Sequence, residues 1–410
     1  MTAATGNDLD KMSFICRMIS YLSASYVYTA CGPPIKNGVI GVGAEGLIEE
    51  VLSPEAAKQK NIGQITFHEG LLVPGFVNTH CHLELSNLRG RIERNTGLTA
   101  FVQAVMKLRT TDEYELDAAM LRADIEMLEN GIVAVGDISN QLVSRMIKRG
   151  SLISYHTFVE VIGFNPDLAG PAVARALELK QAFEPLQASL APHAPYSVSE
   201  PLFASLRAIS EMEEDGCISI HNQETKDEDL FFESGTGSFP ELYNTLGLDI
   251  SFYTASGKSS LQTCLPLLPA GKKVLLVHNT FTGRADVKFA KAAHSRLYWC
   301  LCPNANLYIE NRLPDVNMLM EEGLTITLGT DSLASNDCLS IFAEMQTLQA
   351  HFNVPVQELI RWACWNGADF LGITDKFGSF EPGKRPGINL LKFSEKAGKV
   401  MLGSSMKRLY

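Results

Sequence analysis

The chain has 410 residues, 46% of them hydrophobic and 20% charged, with a mean hydropathy of +0.03. That composition supplies apolar surface for a large core and excludes disordered and collagen-like classes. Thirty-five basic residues against 46 acidic ones give a net charge of −11 and argue against nucleic-acid partners, and no apolar run nears the roughly 18 residues of a spanning helix, so no membrane partner is expected.

Residues 1–12 (MTAATGNDLDKM) are polar and acidic and read as a loose tail, with Met12 as an alternative start. Residues 18–31 faintly resemble a lipoprotein signal, but only Lys11 and Arg17 precede or flank the run, too little for a basic leader. The nine cysteines form no C-x-x-C pair, and the closest are Cys300 and Cys302. Reduced thiols in a cytoplasmic protein are the expectation.

From about residue 18 to 70, short strand-like runs (ISYLSASYVYTA, GVIGV, GLIEEVL, QITFHEG) are punctuated by Gly and Pro. They predict small antiparallel β structure. GSFEPGKRPGINLLKF at 378–393 has the same character. Residues 1–70 and 375–410 are therefore expected to pair into one composite β-sandwich domain. Gly41-Val-Gly43-Ala-Glu-Gly46 matches G-x-G-x-x-G, but the segment after it breaks at Pro54 and no βαβ unit follows. A glycine-rich hairpin turn is the better reading, without a dinucleotide.

Between these ends the rhythm changes. Apolar strand runs at 72–82, 131–138, 153–162, 187–192, 217–221, 273–278, 297–302 and 324–330 alternate with amphipathic stretches. The latter include 98–108, 115–130, 201–215, 285–294 and 340–351. Buried strands separated by helices predict an α/β fold, a (β/α)8 TIM-type barrel over residues 71–374. The connection 225–270 is long for such a barrel and reads as an active-site lid.

Five of the nine histidines, His80, His82, His193, His221 and His278, lie at or just past the C-terminal ends of these strands, and Asp331 ends the eighth. That face of a barrel carries the chemistry. His80 and His82 are two apart, so on a strand they share a side, and Glu84 joins them if the strand continues. His80, His82, His221 and Asp331 can form one divalent metal site, with donors suited to Zn²⁺ or Fe²⁺. Such a metal would lower the pKa of a bound water. Glu224 and His278 are then free for proton transfer. His68, His156, His294 and His351 read as structural. His82-Leu-Glu84 mimics the H-x-E of small zinc nucleobase deaminases, but their P-C-x-x-C is missing, which excludes that fold. His193, Glu84, Arg89, Arg109 and Asn304 are the candidate substrate contacts. Arg89 and Arg109 read either as contacts to an anionic group or as solvated surface arginines, the commoner case, and Arg312, in an expected loop at 304–314, either as a carboxylate contact or as an exposed loop arginine.

The runs LLVPGFVNTHCHLELSNLRG (71–90), APHAPYSVS (191–199), HNQET (221–225), LVHNT (276–280), CPNANLYI (302–309) and LGTDSLASN (328–336) occur in that order. With them the chain resembles the amidohydrolase superfamily over about residues 18–395. Within it, the chain looks like the mononuclear branch of deaminases and chlorohydrolases, which includes S-adenosylhomocysteine, methylthioadenosine, aminofutalosine and guanine deaminases. The resemblance implies metal ligands His80, His82, His221 and Asp331. It implies Glu224 and His278 as the proton-handling pair, Asp331 as acceptor of the water's proton, and His193 as a substrate contact. The fourth strand reads QASLAPHA, without the lysine that bridges two metals in binuclear members, so one metal is implied. The expected reaction is hydrolytic deamination of an adenine-type nucleoside. Hydrolysis of another C–N bond or of a C–Cl bond is the alternative. A homodimer is also a family expectation. Pro386-Gly387 stands where Ala-Asp is common, which bears on the small domain.

Overall fold

A computed structural model describes residues 19–109, 112–213 and 216–410. The expected tail, Met12, the start of the signal-like run and the last two residues of the 201–215 helix lie outside the described residues.

Eight strands form the centre: Phe76–Cys81, Ile132–Ser139, Ser154–Val161, Gln187–Pro192, Cys217–Asn222, Lys273–His278, Leu297–Leu301 and Ile326–Leu328. They are apolar runs with both faces covered, which suits parallel pairing. The first four pair in parallel in chain order, and so do the last four. The halves close on one another twice. Cys81 and Asp331 form a parallel bridge, and the His221 amide donates to the His193 carbonyl at 3.0 Å. The result is a (β/α)8 barrel. Its helices include Leu98–Leu108, Glu113–Glu129, Glu200–Met212, Arg284–Ala293 and Ile341–Phe352. Several carry the expected start signals: Asp112 and Ser340 accept amides of their first turns, and Pro201 opens Glu200–Met212. No described helix is long and apolar enough to cross a membrane.

The chain ends meet in a seven-stranded sheet, ordered Lys399–Arg408, Ile388–Lys396, Ile65–Pro74, Ser20–Val27, Val39–Val42 and Ile48–Leu52, with Ile35–Lys36 also on Ser20–Val27. The ladder is continuous, so the small domain is one sheet with a core of its own around Leu22, Ile40, Ile48, Leu72 and Ile388. It is not wholly antiparallel, because Ser20–Val27 and Ile65–Pro74 run parallel. The Gly41–Gly46 motif is the turn of an antiparallel hairpin between Val39–Val42 and Ile48–Leu52.

The domain boundary falls later than residue 71. Leu71 to Pro74 pair with Ile388 to Leu391 in the end sheet, and the barrel begins at Phe76. The single expected strand 72–82 is therefore two strands parted at Gly75. A Cβ at Gly75 would lie 2.4 Å from Val133 Cγ1 and 2.5 Å from the Pro386 carbonyl oxygen. The Gly75 amide donates to that same carbonyl at 2.9 Å. Pro74-Gly75 was the available signal for the break.

A buried ion pair links the second strand to the helix Arg145–Gly150. Lys148 Nζ lies 2.6 Å from Asp137 Oδ2 with both side chains fully buried. Lys148 also donates to Ser139 Oγ (2.9 Å) and Thr157 Oγ1 (3.0 Å), while Asp137 Oδ1 accepts the Leu83 amide at 2.8 Å. The pair thus ties the backbone just after His82 to its neighbouring strand. Removing one partner strands a buried charge, at a cost of about 3–5 kcal/mol. Lys148→Met is expected to lose that much stability in chemical denaturation, and Lys148→Met with Asp137→Asn to recover at least half of it.

Candidate active site

The site is built at the join between the last and first strands. Asn78 Nδ2 donates to Thr330 Oγ1 at 2.8 Å, and its Oδ1 accepts the Thr330 amide at 3.1 Å. The Asp331 amide donates to the His80 carbonyl at 3.1 Å. Gly329 permits the close approach, since a Cβ there would lie 2.8 Å from both Cys300 Sγ and His80 Cβ. Asp331 and His278 hold left-handed backbones, with φ of 55° and 76°. Such conformations persist where surrounding structure enforces them, often at working sites.

Side chains then converge. His80 Nε2 and His82 Nε2 lie 3.2 Å apart, and each is 3.4 Å from Asp331 Oδ1. His221 Nδ1 donates to the His193 carbonyl at 2.7 Å, which leaves Nε2 a bare lone pair. The nearest ligand atoms of His80, His221 and His278 all lie within 4.8 Å of one another. Burial lowers the pKa of every one of these imidazoles, to about 3 at His82. Neutral imidazoles are what a metal requires. Burial alone would raise the Asp331 carboxyl, but its hydrogen bond to His80 and the nearby histidines outweigh it and hold it well below the usual range. Ser335 Oγ donates to Asp331 Oδ2.

This donor set fits a metal. A tetrahedron with bonds of about 2.0–2.1 Å has edges near 3.3–3.4 Å, close to the spacing of His80, His82 and Asp331. His80, His82, His221 and Asp331 could hold the ion, with three nitrogens and one carboxylate.

Beside them, Glu224 Oε1 lies 3.6 Å from His278 Nε2. Burial, then the charges of Asp331 and Glu310, push the Glu224 carboxyl well above the usual carboxylate range. His278 Nδ1 is held by Asn306 Oδ1 at 2.9 Å. Glu228 accepts the amides of Gln223 and Glu224 and fixes the turn that aims Glu224 inward.

A cavity of about 500 Å³ opens over these groups. Its polar side carries Glu84, Arg109, Asn140, Glu160 and His193. Its outer wall is apolar, with Phe101, Val105 and Met106 on one side and Leu242, Tyr243 and Leu246 on the other. The second group comes from the expected lid. That segment folds into helices Lys226–Ser234, Phe239–Thr245 and Ser260–Cys264, and Tyr243 stacks on Phe164 with ring centroids 5.0 Å apart.

His80, His82, His193, His221, His278, Glu84, Glu224, Arg109 and Asp331 are thus gathered at one place, with His80 fully buried beneath the cavity. Arg89 and Asn304 are not. Arg89 pairs with Glu126 on the helix Glu113–Glu129, outside the cavity. Asn304 Oδ1 accepts Thr347 Oγ1 at 2.6 Å, and its amide goes to Glu344. The expected loop at 304–314 begins as the helix Pro303–Ile309, whose packing turns Asn304 away. Arg312 lies over the Phe281 ring at 4.6 Å. Arg109 reaches the cavity, where its NH2 donates to Glu84 Oε1 at 2.6 Å and Asn140 Oδ1 at 2.8 Å. Glu160 was missed. It lies next to last in the third strand, Ser154–Val161, inside a run expected to continue to residue 162.

Residues 71–404 match the model of the "Amidohydrolase family". The chain belongs to this family. Among curated relatives, this amidohydrolase is 27% identical to an adenosine deaminase of Helicobacter pylori over 80% of the chain and 81% of the relative. It is 26% identical to a 5-methylthioadenosine/S-adenosylhomocysteine deaminase of Teredinibacter turnerae over 78% and 71%. Among solved structures, the Helicobacter pylori aminofutalosine deaminase with methylthio-coformycin superposes with a TM-score of 0.78 at 24% identity, covering 92% of this chain and 93% of that one.

Elemental analysis of the purified amidohydrolase is expected to find one divalent ion per chain. His82→Ala should lose it. Ser335→Ala, which removes only the donor to Asp331, should weaken metal affinity about 10–100-fold, and Arg89→Ala should leave it unchanged.

Proposed function

We propose that this amidohydrolase removes the amino group of an adenine-type nucleoside by hydrolysis and releases ammonia. The observation that carries the reading is the buried Glu224 carboxyl 3.6 Å from His278 beside the metal-type donor set, with burial favouring its protonated form. The deaminase names of the relatives support it. Unbonded cysteines agree with a cytoplasmic location.

His80, His82, His221 and Asp331 are the ligands, and zinc suits three imidazoles and a carboxylate. When bound, the metal supplies a water activated at neutral pH. Asp331, held as the anion, would take the proton of this water and return it to the amino group, which leaves as ammonia as its C–N bond breaks and the new C–O bond remains. Glu224 gives its own proton to the ring nitrogen beside the amine-bearing carbon, and that carbon becomes electrophilic. His278 donates Nδ1–H to Asn306, so its Nε2 accepts a hydrogen bond from the attacking water and orients it. His193 contacts the bound base.

The cavity wall narrows the substrate. Leu242, Leu246, Phe101 and Met106 offer apolar contact, and Arg109 on the polar side is paired with Glu84. An uncharged 5′ substituent fits this wall better than a carboxylate. Each buried methylene-sized group is worth about 0.8 kcal/mol, so methylthioadenosine should exceed adenosine in kcat/KM by about tenfold.

Ammonia release from metal-loaded protein tests the reading. Methylthioadenosine is expected to be turned over, and Glu224→Gln to lower kcat by about 10²–10⁴-fold with metal content intact. Chloride from a chlorotriazine, with no ammonia from any purine, would sink the deaminase reading and favour the C–Cl alternative.

A further inference from the structure

Two carboxylates enter the cavity from different strands and share one tether. Asn140 follows the second strand. Its backbone amide donates to Glu84 Oε1 at 3.2 Å, and its Nδ2 donates to Glu160 Oε2 at 3.2 Å. Arg109 NH2 braces the same unit through Glu84 Oε1 and Asn140 Oδ1. One oxygen of each carboxylate is thereby held, and the other is left over. Glu84 Oε2 and Glu160 Oε1 are both buried and find no hydrogen-bond partner among the described residues. His193 Nε2 lies 3.9 Å from Glu160 Oε1, beyond hydrogen-bond reach. The side chains are 3% and 6% exposed, so bulk water does not satisfy these oxygens freely.

A buried carboxylate oxygen without a donor is costly. Burial pushes both carboxyls up to about 7; in the ionised form they only accept, so the partners that would stabilise that form are donors. Glu84 and Glu160 both line the cavity that holds the reacting groups.

We propose that Glu160, positioned by Asn140, is a substrate-binding residue that acts with Glu84 as a two-point acceptor for the vicinal hydroxyls of a sugar, one hydroxyl to each carboxylate. A ribose carries two adjacent donors and no charge, which matches two adjacent acceptors whose other oxygens are already engaged. This rests on the nucleoside reading above. In this role Glu160 and Asn140 would act on binding and on discrimination between sugars rather than on the attacked carbon. A site built to bond a hydroxyl rejects the analogue that lacks it, because its own polar atom is then left unpaired.

The test is ammonia release from methylthioadenosine and from its 2′-deoxy and 3′-deoxy forms, with wild type, Glu160→Gln and Asn140→Ala. Wild type is expected to lose at least tenfold in kcat/KM, chiefly through KM, on removal of either hydroxyl. Glu160→Gln should lose at least tenfold on the parent nucleoside and little further on one deoxy form, while keeping the full penalty on the other. Asn140→Ala should lessen both penalties. Metal content and thermal midpoint are read on each variant. If Glu160→Gln fails to fold, the wild-type comparison decides: equal rates on all three nucleosides overturn the proposal. A Glu160→Gln loss that is the same on all three also overturns it. Both results differ from failure of the nucleoside reading itself, in which wild type releases no ammonia from any adenine nucleoside and the proposal falls with it.

Discussion

Everything at the site depends on how the eighth strand is pinned to the first. Asn78 satisfies both the amide and the hydroxyl of Thr330, and the next amide, that of Asp331, goes back to the His80 carbonyl. This closes the barrel and sets the carboxylate beside two imidazoles in the same stroke. Gly329 makes the approach possible, because any side chain there would collide with His80 and the thiols beneath it. The left-handed turn at Asp331 follows from these fixed neighbours rather than from its own preference.

Burial then sorts the charges. A low-dielectric setting disfavours ionised imidazole and ionised carboxyl alike. It keeps the histidines neutral and able to donate lone pairs, and it raises the Glu224 carboxyl. Asp331 escapes because its hydrogen-bonded histidines favour the anion. Two carboxyl groups of the same chemistry are thus shifted in opposite directions by their neighbours. The pairs that fix the tautomers are equally definite: a carbonyl holds His221 and an amide oxygen holds His278.

The cavity divides by strand and by segment. Strand ends supply the floor, where small displacements matter most. The helix Leu98–Leu108 and the long segment after Thr225 supply the apolar wall. The wall is bound to its own aromatic cluster, in which Phe231 stacks on Tyr253 at 4.2 Å and Tyr243 on Phe164. Chemistry and selectivity therefore draw on different parts of the chain, and the wall can vary without moving the floor.

The amino-acid sequence by itself determined the barrel, the rank of its strands and the identity of the groups at their ends. Buried parallel strands are apolar throughout, so a histidine or carboxylate at the end of such a run stands out. Lys273–His278 and Gln187–Pro192 were legible to the residue for that reason. What a side chain does after leaving a strand was not legible, because its partner comes from elsewhere in the chain. Arg89 found Glu126, Asn304 found Thr347, and Arg109 found Glu84, each by packing that no local pattern encodes. Glu160 was hidden within a run read as core, and Gly75 within a run read as one strand. Only the tertiary structure decided these, because hydrogen bonds and close contacts between distant segments, not periodicity, set which polar atoms are satisfied and which are left for a ligand.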